Sequence, residues 1–191
     1  RGPVLEVVVS RANYISQQLD NKVGATRIVG LSTALANADD LAAWLEVGPS
    51  GFFNFRPSVR PVPMDIYIQG FSERHYCPRM ATMNKPALQK IREHSPDKPV
   101  LIFVASRRQT RITGMELISL LHQTDNPKQW VGDNFSEQEI EDCQNCIKDK
   151  ALRDMIPFGI GMHHAGLNEN DRDLTEKLFL EGKIRVLTAT A

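Results

Sequence analysis

The closing stretch of this sequence constrains the fold more than any other part. Phe158-Gly-Ile-Gly-Met162 reads as a short apolar strand, followed by the small-residue loop His163-His-Ala-Gly-Leu167. Asn168 then suits a helix N-cap, and the helical pattern runs through Lys177 to about Glu181. Ile184-Arg-Val-Leu-Thr188 is a second strand, with Ala189-Thr190-Ala191 at its tip. Strand, loop, helix and strand in this order make a parallel βαβ unit with a right-handed crossover. The functional loops of such folds sit at the C-terminal ends of the strands. A chain that stops at such an end reads as a piece of something larger.

The same alternation runs through the preceding residues. Val100-Leu-Ile-Phe-Val104 is a continuous apolar run of the kind that is covered on both faces. Ala105–Thr110 leaves its end and leads into a helix to about Leu121. Asp125–Phe135 is a polar loop in which Trp130 reads as exposed, and Glu137–Asp154 is helical up to Pro157. Nearer the start, Val4–Leu19 carries apolar residues close to a 3.6-residue repeat and predicts a helix. Arg27–Leu31 predicts a buried strand, and Asp39–Leu45 a short helix capped by Asn37. Phe52–Phe55 predicts an edge strand whose aromatic rings belong to the core. Met64–Gln69 alternates as a strand does, and Met80–His94 predicts a helix interrupted or restarted at Pro86. The prolines from Pro57 to Pro63 and the break at Ser95–Pro99 place the main boundary across roughly 58–98. The first part leaves a sheet edge that expects neighbours, so the isolated chain is expected to be marginally stable or to aggregate.

Composition narrows the function classes. Lys plus Arg and Asp plus Glu number 23 each among 191 residues. A dedicated nonspecific nucleic-acid binder is usually basic, so any polyanion site must be local. No run reaches transmembrane length, and the N-terminus lacks the pattern of a signal peptide. Cys143 and Cys146 are a lone CxxC with no second pair to complete a zinc site. Their spacing is also that of one helix face. Cysteine usage fits a reduced, intracellular setting. No loop of the form GxxxxGK followed by Ser or Thr occurs, so nothing cradles ATP phosphates in the familiar way. No acidic cluster follows a strand to hold magnesium.

Four loops share one logic. Leu31-Ser-Thr-Ala34, Val104-Ala-Ser-Arg107 and Leu187-Thr-Ala-Thr190 each place small hydroxyl residues just past an apolar strand. His163-His-Ala-Gly166 adds imidazoles in the same position. Backbone N–H groups, short hydroxyls and the Arg107 guanidinium at one sheet edge would suit a sugar–phosphate backbone without reading bases. Each loop alone is equally an ordinary helix cap or turn. Of the adjacent histidines, one is expected to be held structurally and the other to face the cleft. Asp39, Asp40, Asp171 and Asp173 read as first-turn carboxylates that suit a helix N-terminus.

Arg27–Leu45 resembles the motif III region of superfamily-two DExH helicases of the superkiller-like branch. Phe55–Pro63 resembles their passage between RecA-like domains, Lys98–Thr110 motif IV, Gly161–Leu167 motif IVa and Arg185–Thr190 the start of motif V. The resemblance implies α/β, RecA-like (P-loop NTPase type) parallel sheets belonging to two tandem domains, both incomplete. Residues 1–57 would be the C-terminal part of the first, 58–98 the connection with a strand and helix, and 99–191 the N-terminal part of the second. It implies that Ser32, Thr33 and Ala34 couple the ATP site to domain movement, with Ser-Thr-Ala standing where most of the family has Ser-Ala-Thr. It also implies that Ser106, Arg107, His164, Gly166, Thr188 and Thr190 line the nucleic-acid channel. ATP and Mg2+ would serve the intact parent and neither would be held by this chain alone. The partners implied are single-stranded DNA or RNA, the flanking parts of the same cassette and the subunits of a larger complex, without a membrane. The activity implied is ATP-driven 3′ to 5′ translocation, with roles in DNA repair and ribosome quality control in nucleus and cytoplasm. The alternatives are a noncatalytic nucleic-acid-binding or scaffold module, and an unrelated small α/β enzyme using the histidines.

Overall fold

The computed structural model describes residues 2–18, 26–33 and 35–190. The chain divides into two compact units, Arg1–Tyr67 and Ile68–Ala191. The first contains helices α1 (Gly2–Gln18) and α2 (Ala38–Trp44). The helical period of α1 is realised, but only Val9 is buried. Two side-chain bonds tie the helices: Asn13 Nδ2 donates to the Trp44 carbonyl at 3.4 Å and Gln17 Nε2 to Glu46 Oε1 at 2.6 Å. Asn37 occupies the N-cap position of α2 without capping it; its amide donates instead to Asp40 Oδ2 at 3.1 Å.

Three expected strands are not strands. Arg27–Leu31, Phe52–Phe55 and Met64–Gln69 lie outside regular structure. They are open to solvent, with Leu31 95% and Ile68 93% exposed. Alternation provides a strand with two faces but not with a ladder partner, and none pairs with them among the described residues. Phe53 and Phe55 are exposed rather than core, their rings stacked with centroids 6.3 Å apart.

The second unit is built on a three-stranded parallel sheet of β1 (Val100–Phe103), β2 (Ile160–His163) and β3 (Val186–Ala189), in the order β1-β3-β2. Val100, Val186 and Ile160 are level at one end, and Phe103, Ala189 and His163 at the other. Helix α3 (Tyr76–His94) leads into β1 and α4 (Arg107–Leu121) leaves it. Helices α5 (Glu137–Cys146) and α6 (Lys150–Met155) precede β2, and α7 (Glu169–Leu180) joins β2 to β3. The expected single helix 137–154 is thus two, broken where Ile147 adopts an extended conformation. α3 passes through Pro86 without a break. The missing N–H costs one helical bond, and packing of Leu88 and Ile91 into the core holds the rest.

Side-chain alternation decides which helix covers which face. α4 carries a buried stripe at Thr110, Thr113, Gly114, Leu117 and Leu121. A Cβ at Gly114 would stand 2.7 Å from Met155 Sδ, so glycine permits the close packing of α4 on α6. Ile160 lines that same face, at 3.8 Å from the same point. A Cβ at Gly161 would meet Thr175 of α7 and Leu187 of β3, so α7 covers the opposite face. On that second face β1 leaves Leu101 48% and Phe103 63% exposed.

Trp130, expected to be exposed, is only 2% exposed and belongs to the core. Its carbonyl accepts from the Arg185 N–H at 3.0 Å, and Val131 bridges to Ile184. Gly159 makes this possible, with a left-handed φ of 73° and a missing Cβ that would fall on the Trp130 carbonyl. Gly159→Ala is therefore expected to destabilise the protein by about 3 kcal/mol through strain and overpacking. An unchanged urea midpoint would show that this bend is not needed.

At α5 a capping box joins Ser136 and Glu139, and Lys183 Nζ reaches Glu139 Oε1 at 2.9 Å. The Lys183 ammonium first, then Ser136, hold the Glu139 carboxyl far below its ordinary value, at about 2. A carboxylate depressed by folding stabilises the fold above its unfolded pKa, and that stabilisation drains away as pH falls toward the folded value. Between about pH 4.5 and 2 the urea midpoint should fall more steeply in the natural protein than in Glu139→Gln. Parallel curves would exclude this contribution.

Candidate nucleic-acid interface

Three of the four small-residue loops leave the same edge of one sheet. The ladder reaches slightly past the strands: the Val104 N–H donates to the Ala189 carbonyl at 2.8 Å and the Thr190 N–H to the His163 carbonyl at 3.2 Å. The loops therefore start from a common, hydrogen-bonded rim. Ser106 caps α4, its hydroxyl accepting the Gln109 N–H at 3.3 Å, and is exposed. Arg107 is the first residue of α4 and is exposed as well.

The second loop is a tight turn. The Leu167 N–H donates to the His164 carbonyl at 3.1 Å, and the Gly166 N–H to His164 Nδ1 at 3.1 Å. Gly166 leaves little space beneath what lies over it. A Cβ there would stand 3.1 Å from Arg107 Cδ and 3.2 Å from Arg107 Nη1. Arg107 and His164, 57 positions apart in sequence, are thus brought together across Gly166. With Nδ1 accepting, the neutral imidazole carries its proton on Nε2. Burial pushes the His164 pKa down, and the nearby Arg107 charge adds to this against the opposing pull of Asp149. His163 is the structurally held partner: its Nε2 lies 2.6 Å from Glu176 Oε1 on α7.

Other expected site residues lie elsewhere. Thr188 is wholly buried and its hydroxyl donates to the Gly161 carbonyl at 3.1 Å, so its side chain serves the sheet rather than the rim. Thr190 is half-buried at the tip of β3 and presents its backbone to β2. Ser32 and Thr33 are exposed in the first unit, and Ala34 lies outside the described residues. Among the described residues no group of three His, Cys, Asp or Glu could hold a metal ion. Cys143 is half-buried and Cys146 exposed on α5, with both thiols free. The described residues therefore offer no carboxylate cluster fit for magnesium.

Beside the rim, Asp171 fastens three helices together. It is an acid of the first turn of α7, as its sequence position implies, and it is 1% exposed. Its Oδ1 accepts the Lys148 N–H at 3.1 Å and its Oδ2 the Asp149 N–H at 2.9 Å. Its own N–H is capped by Asn168 Oδ1 at 3.0 Å. One carboxylate thus fastens the α5–α6 junction to the start of α7, directly behind the His164–Leu167 turn. The sequence signal is spacing: Leu167, Asp171, Thr175 and Leu178 fall on one helical stripe, and all are buried. Asp171→Ala removes the partner of the part-buried Lys148 and Asp149 N–H groups and is expected to cost about 1–3 kcal/mol. Denaturant unfolding measures it; a loss below about 0.5 kcal/mol, the range of ordinary surface changes, would rule out the fastening role.

No protein-family model matches the chain. Among curated proteins it is 60% identical, over all 191 of its residues, to activating signal cointegrator 1 complex subunit 3 of Mus musculus, and equally to that of Homo sapiens. It is 54% identical over the same span to the DExH-box ATP-dependent RNA helicase DExH14 of Arabidopsis thaliana. The chain covers only 8% of the first two relatives and 9% of the third. Along its whole length, then, the chain is homologous to a stretch of activating signal cointegrator 1 complex subunit 3 and of a DExH-box ATP-dependent RNA helicase.

Proposed function

We propose that the chain supplies part of the nucleic-acid channel of an ATP-dependent helicase that moves 3′ to 5′ on, and unwinds, DNA or RNA. In this reading residues 1–57 belong to a first RecA-like domain, 58–98 connect, and 99–191 open a second. The observation that carries it is the shared rim, where Ser106, Arg107, His164, Gly166 and Thr190 converge from three loops. Arg107 offers a forked, charge-assisted contact to a phosphate, and the start of α4 adds favourable field. The neutral His164 offers an Nε2–H donor.

The coupling role of Ser32, Thr33 and Ala34 belongs to this proposal, as do Thr188 as a channel residue and ATP with Mg2+ in the intact protein. So do the subunits of the activating signal cointegrator complex as partners, the tasks in DNA repair and ribosome quality control, and residence in nucleus and cytoplasm. With no ATP-binding loop in its sequence, the chain alone would not turn over ATP.

Fluorescence anisotropy with a labelled single-stranded oligonucleotide tests the reading. The full chain is expected to bind weakly, and Arg107→Ala to weaken binding about tenfold, the worth of one good charged hydrogen bond. Equal binding by a well-folded Arg107→Ala variant would remove the rim from the function. Robust turnover of a small substrate by the purified chain would favour an unrelated enzyme.

A further inference from the structure

The neutral total conceals a strong segregation of charge. Residues 74–115 contain nine Lys and Arg against two acids, whereas 116–190 contain eight against fourteen. The first stretch comprises α3, β1 and most of α4, and the second carries α5, α6 and α7. The two acids of the basic stretch are already engaged: Glu93 with Lys90 at 2.7 Å and Asp97 with Arg185 at 3.4 Å. Both lie near the end of α3 and the start of β1, away from the rim.

At the rim end the arginines have no such partners. Arg74, Arg79, Arg107, Arg108 and Arg111 form no salt bridge among the described residues. α3 packs on α4. α3 comes down to the start of β1 and α4 departs from its far end, so both helices begin on the rim side of the sheet. α3, at 19 residues, is about 28 Å long, several times the reach of one loop. Arg107, Arg108 and Arg111 are exposed on the first turns of α4, and Arg74 is exposed just before α3, with Arg79 half-buried in its first turn. Arg107 belongs to both sets, closing over Gly166 on one side and opening the arginine row on the other.

We infer that a single nucleic-acid strand runs on past the rim, over the β1 edge and the first turns of α4 and α3, with its phosphates taken by Arg79, Arg108 and Arg111. The inference rests on the proposed function and extends its path. A polyanion is the ligand that such a row fits. Guanidinium groups without carboxylate partners bind phosphate in two-pronged fashion. Continuity with the rim through Arg107 favours a strand over an acidic protein.

The test measures binding of the full chain to oligonucleotides of about 6 and about 18 nucleotides, bracketing common single-strand site sizes, across a series of salt concentrations. The natural sequence is expected to prefer the longer strand. Arg79→Ala/Arg108→Ala/Arg111→Ala should erase that preference and leave the short strand unaffected. On the long strand its log–log salt slope should fall by about 2, at about 0.7 per lost phosphate contact. Lysine at the same three positions should restore the slope, and matching thermal melting profiles secure the comparison. A triple variant that keeps both length preference and slope overturns the inference while leaving the rim reading intact. Loss of affinity for a polyglutamate peptide but not for the long strand also overturns it, in favour of an acidic protein partner. If the natural chain binds neither oligonucleotide, the rim reading falls and this inference with it.

Discussion

The rim exists because three very short strands pair in parallel and in register. Each has only four residues, so little slack separates one loop from the next. Pairing of Val186 with both Val100 and Ile160 puts Phe103, Ala189 and His163 at one level. A slip of one residue would turn Thr188 and Val186 out of the α4 face and spoil both layers. The bonds from Val104 to Ala189 and from Thr190 to His163 carry this registry into the loops themselves. The rim thus depends on backbone pairing first and on side chains second.

Around this rim, polar residues divide into those that hold and those that face outward. Asp171, Thr188 and Thr175 are sealed in the interior with their oxygens engaged by backbone groups. Ser106, Arg107 and Gly166 remain exposed. A buried polar atom is tolerated because its partners are fixed amides and carbonyls, which do not need to reorganise. His164 stands between the two groups, with one ring nitrogen spent on the Gly166 amide and the other left to donate.

The sheet and its helices were legible because continuous apolar runs and helical stripes report burial directly. Val100–Val104 and Ile184–Thr188 were recognised for that reason, and Asn168 as a cap by its place before a helical run. The three missing strands show the limit: Ile66 and Ile68 alternate correctly, but among the described residues no strand pairs with theirs. The burial of Trp130 is not legible in sequence, because a polar neighbourhood says nothing about a fold-back onto Gly159. The loops of the site were legible as small-residue turns, yet the approach of Arg107 to Gly166 is a long-range contact that spacing does not encode. Asp171 was visible only as a first-turn acid, since its receptors, the amides of Lys148 and Asp149, come from another element. Thr188 shows the reverse, a hydroxyl whose sequence position suggested the surface and whose strand phase put it inside.

The second unit shares its charge unevenly along the chain, with an excess of Lys and Arg in 74–115 and of acids in 116–190. A molecule arranged this way behaves as an electric doublet, and its zero total describes it poorly. It should cling to cation-exchange and anion-exchange resins alike in dilute buffer, presenting a different side to each, and let go of both as added salt shortens the reach of its fields.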